Sequence, residues 1–353
     1  MQASLSNISP AHFEPKAVTT NGAQPTLPKI VSLFCGAGGL DWGFHNHGFE
    51  ISLAIDISAA AIRTHQRNFP ETPSFAENLI DLGPEGVFEL VQKNIPTGSR
   101  IAVIGGPPCQ GFSRANTASY QNDPRNSLPK LYVDIVRKLQ SSYDVEFVVF
   151  ENVLGMRDKK HNTTYRTLVD NLADLNFDIT EKELCALDFG VPQTRKRIIL
   201  SALKKGAYTK VVPKPTVGPR TVRSVLSHLP EPVYFSRTIN TADIPYHVNH
   251  WTMNPKSGRF LNPDVHYPES RSFKRLHWDK PSPTVAYGNR EIHIHPDGRR
   301  RLSIYEAMLL QGFPSDFVLE GNLSQQVEQV SNAVPPPLSS SIALAVKTAM
   351  ECK

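Results

Sequence analysis

Short apolar runs recur through the first two hundred residues, and stretches with helical spacing lie between them. Lys29 to Phe34 (KIVSLF), Ile51–Asp56 (ISLAID), Ile101–Ile104 and Phe147–Phe150 (FVVF) carry few polar side chains. A strand buried on both faces has this composition, because neither face meets water. Ala59–Asn68 and Leu131–Gln140 instead space their apolar residues as amphipathic helices do. The alternation predicts an α/β domain, a parallel sheet flanked by helices, over 29–210.

After Leu200 the pattern lapses. Ser201 to Leu229 holds six Lys or Arg and no Asp or Glu, and Pro213, Pro215 and Pro219 interrupt it. The chain then stays rich in Pro, His, Arg and Trp with few periodic segments, so a smaller, irregular second domain is expected over 211–302. Helical spacing returns at Ser303–Leu310, in a hinge region over 303–330. An amphipathic helix, Leu338 to Met350, follows the Pro335–Pro337 stop within the last segment, 331–353. Residues 1–28 are polar and aperiodic and read as a disordered tail.

Composition narrows the function classes. With 353 residues, 40% of them hydrophobic, the chain can bury a sizeable core. Its net charge of +5 admits an acidic partner such as nucleic acid. Cys35, Cys109, Cys185 and Cys352 are far apart and form no CxxC pair, so a disulfide framework and a zinc knuckle are both disfavoured. The histidines at 247, 250, 266, 277, 293 and 295 reproduce no zinc spacing, and no metal is expected. No apolar run is long enough for a membrane span and no leader is visible, so the expectation is a soluble cytoplasmic protein.

Two loops carry candidate chemistry. Phe34-Cys35-Gly36-Ala37-Gly38-Gly39-Leu40 follows the first strand and opens a helix. Its glycines permit a sharp turn and close approach to a ligand at the helix N-terminus. Asp56 ends the second strand twenty positions after Gly36, where a carboxylate accepts hydrogen bonds from ribose hydroxyls, or where an acid caps the next helix. Together these indicate a nucleoside-containing cofactor, with a dinucleotide and S-adenosylmethionine both open. Gly105 to Ser113 (GGPPCQGFS) places Cys109 after another strand, at the carboxyl edge where open α/β sheets bind ligands. A thiol needs help to ionise at neutral pH, and two stretches offer charge near that edge. Glu151 ends the FVVF strand, and Gln193-Thr194-Arg195-Lys196-Arg197 precedes Ile198–Leu200. A strand beginning at Arg195 would put Arg195 and Arg197 on one face.

These motifs, with RRLSIYEAMLLQGFP and SNAVPPPL, stand in the order and approximate spacing of the C5-cytosine DNA methyltransferases. The chain resembles that family, in its bacterial restriction-modification form, after residue 28 except over about 215 to 275. The resemblance implies a Rossmann-like, S-adenosylmethionine-dependent sheet with a target-recognition domain. It implies transfer of a methyl group to C5 of a cytosine flipped from double-stranded DNA, leaving S-adenosyl-L-homocysteine. By it, Cys109 adds to C6, Glu151 bonds N3 and the exocyclic amine, Arg195 supports the pocket, and Arg197 braces the catalytic loop. It assigns Phe34, Gly36, Gly38, Gly39 and Leu40 to the cofactor cradle, Asp56 to the ribose and Ile57 to the adenine. Pro108 and Leu131 lie alongside, and Asn332 with Ala333 closes the pocket as the C-terminal segment returns to the first domain.

Three positions depart from the family pattern. Asn78, followed by Leu79, stands where an adenine-binding Asp is usual, Ser331 where Gly is commoner, and Asp56 where Glu is commoner. The basic clusters Lys204–Arg223 and Arg271–Arg275 are candidates to track phosphates, and a cognate restriction endonuclease is a plausible partner. The main alternative keeps the chemistry and moves it to tRNA, although the Cys-Phe-Thr signature of those relatives is absent. A nicotinamide dehydrogenase explains the glycine loop and Asp56 but leaves Cys109, Glu151 and QTRKR as coincidences, and a non-catalytic DNA-binding protein leaves Cys109, Glu151, Arg195 and Arg197 without a use.

Overall fold

The computed structural model describes residues 26–108, 127–159, 161–236, 238–265, 274–284 and 293–352. Seven strands make the central sheet of these residues: β1 (Lys29–Leu33), β2 (Ile51–Asp56), β3 (Ser74–Ala76), β4 (Arg100–Gly105), β5 (Asp144–Asn152), β6 (Phe177–Cys185) and β7 (Lys196–Lys204). They lie in the order β3-β2-β1-β4-β5-β7-β6. Strands β1 to β5 run parallel, as their continuous apolar runs predict. The expected all-parallel sheet is corrected at β7, which runs antiparallel to both β5 and β6. Only about ten residues join β6 to β7, too few for the crossover that a parallel partner requires. The consequence is functional: β7 starts beside the end of β5, with Ile198 opposite Asn152 and Ile199 opposite Glu151.

Helices α1 (Gly39–Asn46), α2 (Ala59–Asn68), α3 (Leu79–Asn94), α4 (Leu128–Leu139) and α5 (Asn162–Asp174) intervene between the strands. Period-two alternation divides β1 between two cores. Val31 and Leu33 pack with α3, α4 and α5, while Ile30 packs on the opposite face with Phe44 of α1. That second face is closed from the far end of the chain by α10 (Pro336–Glu351).

The two closing helices touch at glycine. A Cβ built on Gly43 would lie 2.2 Å from the carbonyl carbon of Ser339, and one on Gly39 would lie 2.3 Å from the carbonyl oxygen of Val334. The Ser339 hydroxyl donates to the carbonyl of Leu40 across the same seam. The helices meet backbone to backbone because α1 lacks side chains there.

Beyond β7 the chain forms short elements: α6 (Val222–Leu226), α7 (Gly258–Leu261), and a two-residue pairing of Val233–Tyr234 with Trp251–Thr252. Helices α8 (Ile304–Gln311) and α9 (Leu323–Asn332) follow. Val222, Leu226, Trp251 and Leu276 share one apolar cluster with α8, α9, Ala37 and Phe69. Polar side chains complete the join. Asn68 brackets Val318 at 2.8 and 3.0 Å, and Asn249 brackets Leu319 at 2.9 Å on both its N–H and C=O. The strap between α8 and α9 is thus held by amides that imitate neighbouring strands.

Two predictions arise from this packing. Gly43→Ala should destabilise the protein by roughly 1–3 kcal/mol of overpacking, partly offset by about 1 kcal/mol of helix propensity. Gly258→Ala, whose Cβ meets nothing within 4 Å, should change urea unfolding by less than about 0.5 kcal/mol. The second concerns acid. His247 stacks on Tyr305 with centroids 4.1 Å apart, and its Nδ1 accepts from the Asn249 N–H, so it is held neutral. Burial pushes both His247 and His293 down to about 4. Their folded values lie below the unfolded one, so the stability they contribute is present above pH 6.5 and is lost toward pH 4. The urea midpoint should fall across that window, and less steeply in His247→Gln; equal slopes would refute the assignment to His247.

Candidate active site

The strand order reverses between β1 and β4, and at such a switch point the loops leaving neighbouring strands diverge and leave a crevice. Leu33 and Gly105 are paired there, and a Cβ on Gly105 would lie 2.4 Å from the carbonyl oxygen of Leu33. The next residue, Phe34, has φ +56°, left-handed backbone that costs a non-glycine residue about 1–2 kcal/mol. It is half-buried against the core beneath α3 and α4. Gly36 (φ +55°) has open space where a Cβ would stand, whereas Gly38 (φ +87°) rests on Phe69, 2.4 Å from where its Cβ would be. Leu40 and Gly39 are buried behind them in the first turn of α1.

Asp56 organises this loop. Its Oδ2 accepts from the Gly36 N–H at 2.9 Å and its Oδ1 from the Ser58 N–H at 2.8 Å. Burial pushes its carboxyl up, against the opposing pull of those two donors. The cap of α2 is Ser58, whose hydroxyl accepts from the Ala61 N–H at 3.3 Å, so Asp56 does not fill the capping role. A carboxylate has about four lone-pair sites, and two remain. Ile57 beside it is 70% exposed, an apolar side chain offered to whatever enters.

Asn78 is itself a helix cap: its Oδ1 accepts from the Ile80 N–H at 3.1 Å and its Nδ2 donates to Asp81 at 2.8 Å. Leu79 is buried in the core, and the exposed apolar residue on that turn is Ile80. Cys35 is buried under the loop, its thiol pushed well up by burial and then by Asp56 and Asp41. Beside it, Asp41 and His65 are fully buried with Nε2 3.6 Å from Oδ2.

The second half of the site leaves β4 and β5. Gly106, Pro107 and the exposed Pro108 follow β4; Cys109 lies outside the described residues. Glu151 is 7% exposed, and its Oε2 would be 2.7 Å from a Cβ on Gly106, so the loop passes directly over the carboxylate. Asn152 holds that loop by donating to the Pro107 carbonyl at 3.2 Å. Arg197 completes the group with Nε 2.9 Å from Glu151 Oε1.

β7 starts at Lys196, one residue later than a strand beginning at Arg195. Arg195 stands in the bend before it, 1% exposed, its carbonyl accepting from the Ala186 N–H at 2.8 Å. Leu131 is half-buried on α4. Asn332 ends α9 exposed, and buried Ala333 lies against Gly39. The structure therefore gathers Asp56, the glycines and Ala333 around one loop and Glu151, Arg197 and Pro107 around another.

Two residues that hold the site carry no assignment from the sequence: Asn152, directly after Glu151, and Gln311, inside the RRLSIYEAMLLQGFP stretch. A polar side chain inside an otherwise apolar strand end was the available signal for Asn152; for Gln311 there was none. A cavity of about 530 Å³ lined by Glu146, Lys204, Tyr208 and Cys352 opens at the opposite, amino edge of the sheet and takes no part in this arrangement. Among the described residues no group of three His, Cys, Asp or Glu is placed to hold a metal ion, and no helix is long and apolar enough to cross a membrane.

Known proteins share both the sequence and the fold. The family model for C-5 cytosine-specific DNA methylase matches residues 28–348. The type II methyltransferase M1.HphI of Haemophilus parahaemolyticus is 33% identical over 90% of this chain and 86% of its own. The type II methyltransferase M.MthTI of Methanothermobacter thermautotrophicus is 30% identical over 91% and 98%. A solved protein encoded within an E. coli prophage superposes with a TM-score of 0.74, covering 92% of this chain and 100% of its own at 24% identity, a likeness of fold. With the family model spanning nearly the whole chain, this protein belongs to the C-5 cytosine-specific DNA methylases and is a DNA (cytosine-5) methyltransferase.

Proposed function

We propose that the enzyme methylates C5 of one cytosine, flipped out of a specific short duplex site, with S-adenosylmethionine as donor and Cys109 as transient nucleophile. The observation that carries this reading is the pairing of Glu151 with Arg197 beneath the Gly106–Pro107 loop, at the same sheet edge as Asp56 and Gly36.

The donor fits the residues present. Open space at Gly36, spare lone pairs on Asp56 and the exposed Ile57 suit a methionine, a ribose and an adenine respectively. Phe34, Gly38, Gly39 and Leu40 shape the turn, and Asn332 and Ala333 close it from the C-terminal side. Asn78 is committed to its helix, which shifts recognition of the adenine toward Ile57 and Ile80. S-adenosylmethionine, when bound, supplies an electrophilic methyl group.

The chain's own residues prepare the base. The Cys109 thiolate forms a bond to C6, which makes C5 nucleophilic; loss of the C5 proton later breaks the S–C6 bond and frees the thiol. Glu151 accepts from the exocyclic amine and shares a proton with N3, which stabilises charge as the adduct forms, while Arg197 holds the Glu151 side chain in place. Flipping costs a few kcal/mol, which hydrogen bonds in the pocket offset. Residues 211–302 would read the duplex, 303–330 would serve as hinge, and 331–353 return to the first domain. A cognate restriction endonuclease would share the recognition site. The basic cluster at Lys204–Arg223 is divided, however. Lys204 and Lys205 sit beside the starts of β5 and β6, at the edge away from Glu151.

In cells whose DNA lacks 5-methylcytosine, expression should place the modified base in one short motif, read by bisulfite sequencing. Unmodified DNA with modified tRNA would overturn the substrate assignment. Cys109→Ala should abolish transfer and retain S-adenosylhomocysteine binding. Glu151→Gln should lower kcat by about 10²-fold or more. Asp56→Ala should weaken S-adenosylhomocysteine by about tenfold, the loss of one or two net hydrogen bonds. DNA binding should weaken with salt, and Lys205→Gln should leave that slope unchanged.

A further inference from the structure

Two halves of the site come from segments far apart in sequence, and a buried chain of amides joins them. Gln193 and Gln311 are both 0% exposed. The Gln193 side-chain N–H₂ donates to Gln311 Oε1 at 2.7 Å and to the Leu310 carbonyl at 3.3 Å. Gln311 Nε2 in turn donates to the Ala333 carbonyl at 2.7 Å. The direction of the chain is fixed by chemistry. Ala333 offers a carbonyl that only accepts, so Gln311 must present nitrogen to it and oxygen to Gln193.

Each end of this chain reaches one half of the site. The Gln193 carbonyl accepts from the Arg195 N–H at 3.0 Å, on the base side. At the other end, Ala333 and Val334 press on Gly39, on the donor side. Gly312, which ends α8 with φ +83°, reinforces the joint: a Cβ there would lie 2.8 Å from Pro337 and 3.4 Å from Val191. The last turn of α8 therefore wedges between the segment that carries Arg195 and the segment that closes the glycine loop.

We infer that Gln311 is a positioning residue that sets the base-holding half and the methyl-donor half of the site in register, acting through Gln193 on one side and Ala333 on the other. This rests on the pocket-supporting role that the family resemblance implies for Arg195 and on the donor-cradling role proposed for the Gly39 loop. Methionine at position 311 keeps volume and apolar packing but removes the donor to the Ala333 carbonyl and the 2.7 Å acceptor of the Gln193 amide. Methionine at 193 cuts only the base-side link. The two variants should therefore fail differently, which a general loss of packing would not produce.

The test compares Gln311→Met and Gln193→Met with the parent protein by amide hydrogen exchange in the free state, S-adenosylhomocysteine calorimetry and steady-state kinetics. Gln311→Met should accelerate exchange both within 191–195 and at the Ala333 and Val334 amides, weaken S-adenosylhomocysteine by about fivefold or more and lower kcat. Gln193→Met should accelerate exchange at 191–195 alone, keep S-adenosylhomocysteine affinity within about twofold and still lower kcat. Should Gln311→Met not fold, Gln193→Met still decides the matter: accelerated exchange at the Ala333 and Val334 amides or weakened ligand binding in that variant overturns the inference. So does unchanged exchange at both segments in Gln311→Met. A parent protein that binds no S-adenosylhomocysteine would refute the donor assignment instead, while the exchange pattern continues to judge the amide chain.

Discussion

A carboxylate almost wholly removed from water must be paired, and much of this structure is arranged around pairing Glu151. Removing an ion from water costs several kcal/mol unless a partner and hydrogen bonds replace the solvent. Arg197 is that partner, and it can reach Glu151 only because β7 enters the sheet antiparallel, with its first residues beside the last residues of β5. A parallel strand in the same slot would deliver the arginine to the far edge. The reversal of one strand is therefore tied to the electrostatics of the site. The same geometry sends Lys204 to the opposite edge, so a sequence-contiguous basic stretch is divided between two ends of the molecule.

What could be read from the chain follows the same physics. Strands β1, β2, β4 and β5 are buried on both faces, and their apolar runs announced them. β6 (FDITEKELC) lies at the sheet edge with much of its length in contact with water, so its polar sequence gave no such sign. α3 was obscured by Gly83, whose φ/ψ of 58°/−177° breaks the helix just before Pro84. Its cap, Asn78, stands where the family resemblance places an adenine-binding Asp, and the sequence does not show that its side chain caps the helix. Glu151 and Asp56 were legible because chemistry-bearing side chains at strand ends are few. Gln193 and Gln311 were not, since an amide becomes meaningful only when tertiary structure puts another within 2.7 Å of it.

The C-terminal segment matters more than its distance in sequence suggests. α10 meets α1 at Gly43 and the Ser339 hydroxyl bonds Leu40, so the helix that supports the glycine loop is itself supported by the end of the chain. That contact is short because two backbones face one another, and close-packed contacts of this kind transmit displacement with little slack. Movement of 333–337 is thereby felt at Gly39, and Gly39 adjoins the turn that Asp56 holds through Gly36.

Rigidity is distributed unevenly as a result. The sheet edge is fixed by backbone pairing, buried apolar faces and a paired carboxylate. The join to the irregular segment combines the apolar cluster of Val222, Leu226, Trp251 and Leu276, a two-residue pairing of Ser282–Pro283 with Gln193–Thr194, and Asn68 and Asn249, each bracketing one residue of the strap between α8 and α9. A net hydrogen bond contributes only about 1 kcal/mol, so these four amide bonds and a two-residue pairing resist motion less than the seven-strand sheet does. Thr64 and Gln329 add to them through Glu320, again by side chains. A seven-strand edge that holds Glu151 thus stands beside a join made of a two-residue pairing, apolar packing and side-chain amides, and the two differ in stiffness for that reason.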